Sequence, residues 1–254
     1  MSGRLRRRFR YSRGVRTYDA SAALIVVDMQ NDFADPGGNL SVRGGADIVA
    51  AVNEEIRHAL HAGAFIAYTQ DWHPQHTPHF AADGGTWPVH CVRGTWGAAL
   101  HPALAVSGPI VQKGSNGEDG YSGFTMRDPI SGATTPTPLE RLLRDAGVGR
   151  VSVCGLATDY CVRATVLDAL ALGFPTTLLA NAIRAVDLAS GDGDRAIDEM
   201  RAAGARVDAG EDERAGAAAT RLHEDTAERH DDDVARGGTT ARHDDGARGG
   251  ARPT

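Results

Sequence analysis

The chain has 254 residues, 41% of them apolar and 24% charged, with a formal net charge of −6. That length allows one sizeable α/β domain or two small ones, and no apolar run approaches the roughly 20 residues that a membrane-spanning helix needs. Three scattered cysteines, Cys91, Cys154 and Cys161, argue against a secreted disulfide framework and suit a reducing, cytoplasmic compartment.

Residues 1–20 carry seven Arg and one Asp, with no apolar segment behind them, and so read as a disordered basic arm rather than a secretory signal. Residues 21–207 hold twenty acids against thirteen bases, an acidic balance that argues against nucleic-acid binding as the main task. These residues form the predicted domain.

Ala22–Val27 is a continuous apolar run of strand length, the pattern of a strand covered on both faces. It ends in Asp28. A carboxylate at the carboxyl end of a central parallel strand lies where α/β sheets place their chemistry, although a turn-forming Asp has the same look. Gly-rich punctuation follows. Ile48, Val49, Val52, Ile56 and Leu60 then trace an amphipathic helix ending near Gly63, and Phe65–Thr69 is the next predicted strand. Strand, helix, strand implies a right-handed crossover and a parallel sheet.

The second strand runs into Asp71, His73, His76 and His79, with His90 and Cys91 downstream. Imidazoles and a carboxylate at short spacing suit Zn²⁺, Fe²⁺ or Mn²⁺; a polar, Pro-rich surface loop has a similar composition. Cys91 could be a further ligand, although it follows His90 directly and is expected to face away from such a site. Pro109–Lys113 reads as a strand ending in the only lysine among 27 basic residues. A lone lysine in an arginine-rich chain marks a position where a compact ammonium is wanted, or is a chance survivor. Gly117–Phe124 is a loop with two aromatics, residues 127–138 a surface loop, and Leu139, Leu142, Leu143 and Ala146 one face of a helix.

Val151–Cys154 is a strand that feeds Gly155-Leu-Ala-Thr-Asp-Tyr-Cys161, and Val162, Val166, Ala169 and Leu170 continue as a helix face. Thr158 is the predicted N-cap, with Cys161 at N3. Free N–H groups and the positive end of the helix dipole there favour a thiolate, while a small apolar residue packs equally well at a helix start. Pro175–Ala180 and Ala205–Val207 are further strands, with a helix over Asp192–Ala203 between them. Six strands in all predict an α/β fold, three layers deep, around a mostly parallel sheet. Residues 208–254 contain almost no large apolar side chain and read as a disordered charged tail.

Asp28, Lys113 and Cys161 thus share one sheet edge, where a carboxylate can take a thiol proton, an amine can favour both charged partners, and the amides of Ala157 and Cys161 can hold an oxyanion. The ordered motifs Val27-Asp28-Met-Gln-Asn-Asp32-Phe33, Asp71-Trp-His73…His79, Trp87-Pro-Val-His90-Cys91, Lys113-Gly…Tyr121-Ser-Gly-Phe124 and Gly155-Leu-Ala-Thr-Asp-Tyr-Cys161-Val resemble the nicotinamidase/pyrazinamidase group of the isochorismatase-like cysteine hydrolases, over about residues 21–207. The resemblance implies a catalytic triad of Asp28, Lys113 and Cys161. It implies one divalent metal ion on Asp71, His73, His79 and His90, approached by the ring nitrogen of nicotinamide. It implies an aromatic carboxamide pocket shaped by Phe33, Trp87, Tyr121, Leu156 and Tyr160, and a cis Leu156–Ala157 peptide that aims the oxyanion donors. The position of Tyr160 varies between His and Tyr in the group. Other readings are an isochorismatase or carbamoyl amidohydrolase on the same scaffold, and a metal-binding or redox-sensing protein without turnover. No nucleic-acid or membrane partner is expected, and the sequence is compatible with a monomer or a homo-oligomer.

Overall fold

Ala22–Val27 forms the first strand, β1, and all six of its side chains are buried. A strand with apolar groups at every position needs cover on both faces, and that requirement organises the fold. The computed structural model describes residues 18–209; most of the predicted basic arm and nearly all of the predicted charged tail lie outside the described residues. The other strands are β2 (Phe65–Asp71), β3 (Ile110–Lys113), β4 (Thr125–Arg127), β5 (Thr134–Pro136), β6 (Arg150–Leu156), β7 (Thr176–Arg184) and β8 (Arg206–Asp208). Among the described residues, six of the eight strands make one sheet in the order β3-β2-β1-β6-β7-β8, and every neighbouring pair is parallel.

Helices cover both faces, giving the predicted three layers. The helices are a single turn α1 (Asn31–Ala34), then α2 (Val49–His61), α3 (Leu139–Asp145), α4 (Arg163–Ala171) and α5 (Asp192–Ala202). On one face Leu24 and Val26 of β1 join a core cluster with Val52, Ile56 and Ala59 of α2. On the other, Ala23, Ile25 and Val27 join Leu139 and Leu143 of α3, Val166 of α4 and Met200 of α5. Fully burying each large aliphatic side chain is worth about 1.5–3 kcal/mol, so the central strand is the best-anchored element.

Several elements depart from the sequence pattern. Leu60, expected on the buried face of α2, is half exposed, and Ala59 points inward instead. Both positions satisfy a three- or four-residue step from Ile56, and the helix can bury only one of two adjacent residues so fully. The stretch 127–138, predicted as a plain loop, contributes to the antiparallel hairpin β4–β5. Its strands are three residues each, too short to show a period. β7 extends beyond its predicted end to Arg184, and its pairing with β6 jumps from Val153↔Leu178 to Gly155↔Ile183.

The parallel register decides where the chemistry falls. β1, β2, β3 and β6 all end at the same edge, and Asp71 stands directly opposite Lys113. Val27 pairs with Gly155 just before Asp28 leaves the sheet. Gly155 has φ +113°, and a Cβ there would lie 2.1 Å from the Val27 carbonyl oxygen. Only glycine permits this approach, which brings the Asp28 turn and the Cys161 turn side by side.

Candidate active site

Asp28 follows β1 in the left-handed region (φ 46°), which is costly for a residue with a side chain and clusters at functional sites. Its position is fixed from β2. The Asp28 N–H donates to Thr69 Oγ1 (3.2 Å), and the Thr69 hydroxyl donates to Asp28 Oδ1 (2.6 Å). The Lys113 ammonium, fully buried, sits 2.9 Å from Asp28 Oδ2, in close contact with Asp71 Oδ1, and 3.7 Å from Cys161 Sγ. Gln30 holds Asp71 from the other side: its Nε2 donates to the Asp71 carbonyl (2.7 Å) and its Oε1 accepts the Asp71 N–H (2.8 Å). The side chain of Gln30 therefore continues the β1–β2 ladder after the β1 backbone has turned away.

Burial and charge set the protonation of this group. Burial raises Asp28 above the usual carboxylate range, with Lys113 pulling the other way. Burial also acts on Asp71, but Lys113, His73 and His90 overcome it and hold that carboxyl well below its usual value. Burial disfavours the Lys113 ammonium, yet Asp28 and Asp71 outweigh it and raise its pKa well above normal.

Cys161 corrects the expectation drawn from the helix start. Thr158–Val162 is a π-helical turn, and its N-cap is Ala157, not Thr158; Cys161 lies one position deeper than predicted. The Ala157 carbonyl accepts from the N–H groups of Tyr160 (3.1 Å) and Val162 (3.0 Å), on either side of Cys161. Burial pushes the thiol well above its normal pKa, more than Lys113 lowers it. Burial thus opposes the thiolate that the helix start favours, and Asp28 is the neighbouring carboxylate placed to take the proton. The Leu156–Ala157 peptide is cis, as the resemblance implied.

His73, His79 and His90 come together with ring nitrogens within 4.8 Å of one another. Two are aimed by outer partners. His79 Nδ1 lies 3.1 Å from Asp119 Oδ1, and His90 Nδ1 donates to the Pro88 carbonyl (2.7 Å). Both nitrogens of His73 are buried without a hydrogen-bond partner. An unsatisfied buried polar atom is expensive, and a divalent cation among the three rings removes that cost for a nitrogen facing it. Asp71 Oδ2 lies 3.7 Å from His73 Nε2 and 3.9 Å from His90 Nε2, so the same carboxylate faces the histidines and the lysine. Three imidazoles and one carboxylate are a fitting donor set for zinc and its neighbours. Cys91 lies buried in the core, as its place after His90 suggested.

A pocket opens beside Cys161 and the histidines. Phe33, Trp87, Tyr121 and Tyr160 line it, and Ala157 contributes the floor beside Cys161. The Trp87 indole N–H donates to the Tyr121 hydroxyl (3.1 Å), and the Tyr160 ring stands edge-on to both. Leu156, expected to touch substrate, is instead fully buried in the core next to the pocket. Asp28 and Lys113 lie next to the thiol but do not line the pocket.

Several contributors carried no signal strong enough to find in the sequence. Leu40, Val42 and Val186 complete the apolar wall. Asp159 accepts the N–H groups of Val186 (3.0 Å) and Asp187 (2.9 Å), tying the loop after β7 to the Cys161 turn. Asp32 accepts the Cys91 N–H (2.6 Å) and the Asn39 N–H (3.0 Å), tying two loops to α1. Asp119, the outer partner of His79, is drawn down to about 2 by that contact. The only hint of these roles was a carboxylate embedded in each motif.

The fold and this edge define a class, a hydrolase built on a parallel α/β sheet. A family model, the isochorismatase domain, matches residues 22–212. The nicotinamidase/pyrazinamidase of Mycobacterium tuberculosis is 40% identical over 190 residues, covering 71% of this chain and 95% of that protein. Among solved structures, the pyrazinamidase of Pyrococcus horikoshii in complex with zinc superposes with a TM-score of 0.66 at 43% identity, over 74% of this chain and 98% of the other. PnC1 from L. infantum in complex with nicotinate gives 0.67 at 35% identity, over 75% and 94%. The chain belongs to the isochorismatase family, and it is a hydrolase acting on a carboxamide.

Proposed function

We propose that the protein is a nicotinamidase, hydrolysing nicotinamide to nicotinate and ammonia and accepting pyrazinamide as well. The observation that carries this reading is the meeting of a thiol, a carboxylate and an ammonium beside an aromatic-walled pocket that also holds three converging histidines. Its similarity to nicotinamidases and pyrazinamidases over most of their length supports the same substrate class.

The carboxamide carbon sits against Cys161 while the ring lies between Phe33 and the Trp87, Tyr121 and Tyr160 wall. Asp28 takes the thiol proton, a transfer helped by a carboxyl whose affinity for protons is raised by burial. Lys113 stabilises the charge at both partners. The sulfur attacks the carbonyl carbon, and the N–H groups of Ala157 and Cys161 hold the oxyanion, each such donor being worth about 2.7–4 kcal/mol of barrier. Asp28 returns the proton to the departing ammonia and then activates a water, which hydrolyses the thioester to nicotinate. His73, His79, His90 and Asp71 would hold a divalent ion, read as zinc with Fe²⁺ and Mn²⁺ as alternatives, and such an ion would supply a Lewis acid toward the pyridine nitrogen. Three free cysteines fit a reducing cytoplasm.

The test is ammonia release from nicotinamide, with metal analysis of the same sample. Turnover with about one ion per chain is the expected result; one ion per chain and no turnover on nicotinamide or pyrazinamide overturns the reading. Stripping the ion with a chelator is expected to lower kcat/KM at least about tenfold, restored by zinc or manganese, because the ring then loses its anchor. Unchanged kinetics in verified metal-free protein overturns the role given to the ion.

A further inference from the structure

Two ligand clusters adjoin at Asp71. One is the histidine cluster. The other is Asp28, Asp71 and Cys161, each offering a ligand atom within 4.8 Å of the others, all three residues buried. Two carboxylates and a thiol are a competent donor set for a divalent ion, and once deprotonated the thiolate is the strongest of them for zinc-like metals. Such an ion would be ligated by the nucleophile and its base together. The position among these donors is taken by the Lys113 ammonium, with Asp28 at 2.9 Å, Cys161 at 3.7 Å and Asp71 closer still. A lysine has three donors in a compact head, matching three acceptors; a planar guanidinium does not fit that geometry. This is the one place where a chain with 27 basic residues uses lysine.

We propose that Lys113 is an ion-excluding residue: its ammonium occupies a second divalent-cation site formed by Asp28, Asp71 and Cys161, and so confines the metal ion to the histidine side of Asp71. The inference rests on the reading of His73, His79 and His90 as the resident metal's ligands. It assigns Lys113 a task separate from stabilising charge during catalysis. With the ammonium removed, an incoming divalent ion takes the Cys161 sulfur as thiolate, and the displaced thiol proton is released to solvent.

The experiment uses the full chain, wild type and Lys113→Met, stripped with a chelator and titrated with cobalt(II). Ions per chain are counted by elemental analysis, thiolate-to-cobalt charge transfer is followed in the near ultraviolet, and iodoacetamide labelling of the Cys161 peptide is measured by mass spectrometry. Wild type is expected to saturate at one ion with no thiolate band. Lys113→Met is expected to develop the band, with a second ion or a relocated one. Cobalt should slow its Cys161 labelling at least about tenfold, reversibly with chelator. Adding Cys161→Ser removes the band. A thiolate band in wild type at one equivalent overturns the proposal, as does a Lys113→Met spectrum and stoichiometry identical to wild type. Lys113→Gln repeats the measurement if the Met variant does not fold, and the wild-type titration decides by itself if neither does. Nicotinamide turnover by wild type is recorded in parallel. Active wild type with an unchanged variant spectrum defeats only the ion-excluding role. Inactive wild type with the expected partition of cobalt defeats only the substrate reading.

Discussion

Cys161→Ala stops ammonia release from nicotinamide, lowering kcat by at least about 10⁴-fold, while the protein keeps about one metal ion per chain and its thermal stability. The size of the loss follows from covalent catalysis: without sulfur there is no thioester, and Asp28 has no proton to move. Retention of the ion follows from geometry. Cys161 is outside the histidine cluster, and His73, His79 and His90 reach their positions from the loop after β2. The pair of readouts separates a thiol mechanism from attack by a water in the histidine site. Steady-state ammonia assays with metal analysis check it, and residual turnover within tenfold of wild type would sink the assignment of the nucleophile.

Gly155→Ala is expected to destabilise the fold by about 4 kcal/mol or more, from a left-handed backbone plus a clash that nothing nearby can relieve. The new Cβ would meet the carbonyl oxygen, nitrogen and carbon of Val27 at 2.1, 2.7 and 2.9 Å. Val27 belongs to the fully buried central strand, so the obstacle is backbone and cannot rotate away. Gly173→Ala is the control: φ is +82° there, but no atom lies within 4 Å of the added methyl, so only the backbone strain of about 1–3 kcal/mol applies. Urea denaturation of both variants checks this. Equal midpoints would show that the close approach of β1 and β6 carries no energetic weight. Since total stability is about 5–15 kcal/mol, the Gly155→Ala variant is expected to express largely insoluble.

What could be read from the chain was whatever is local. An uninterrupted apolar run identified β1, and its end located Asp28. The lone lysine and the histidine spacing needed no knowledge of distant partners. Polar residues whose partners are distant were invisible in their roles. Thr69 serves Asp28 across 41 positions, Gln30 serves Asp71 across 41, and Asp159 serves Val186 across 27. Each is an ordinary side chain until the sheet register sets it opposite its partner. The Cys161 thiol shows the opposing forces most clearly. Its place near a helix start favoured a thiolate, but the same residue is almost fully buried, and desolvation raises its pKa more than Lys113 lowers it. The choice between Leu156 and Ala157 for the pocket turned on which of two adjacent side chains faces outward as the chain leaves β6, and sequence spacing has no bearing on that.

The division of the site at Asp71 has a consequence for how such a protein can diverge. The nucleophile, its base and the lysine belong to strand ends and to the turn after β6, parts the sheet cannot exchange without losing its register. The three histidines belong to one continuous stretch between Asp71 and Cys91, anchored at its two ends by the pairing of His73 with Val92 and by the hold of Asp32 on Cys91. Its middle is tied to the loop after β3, by His79 to Asp119 and by the Thr77 hydroxyl to the Gly117 carbonyl. Grafting a different loop between the same two anchors would leave the thiol machinery intact and change only what grips the far end of the substrate. New amides would have to suit both the exchanged stretch and the wall of Phe33, Tyr121 and Tyr160 that stays in place.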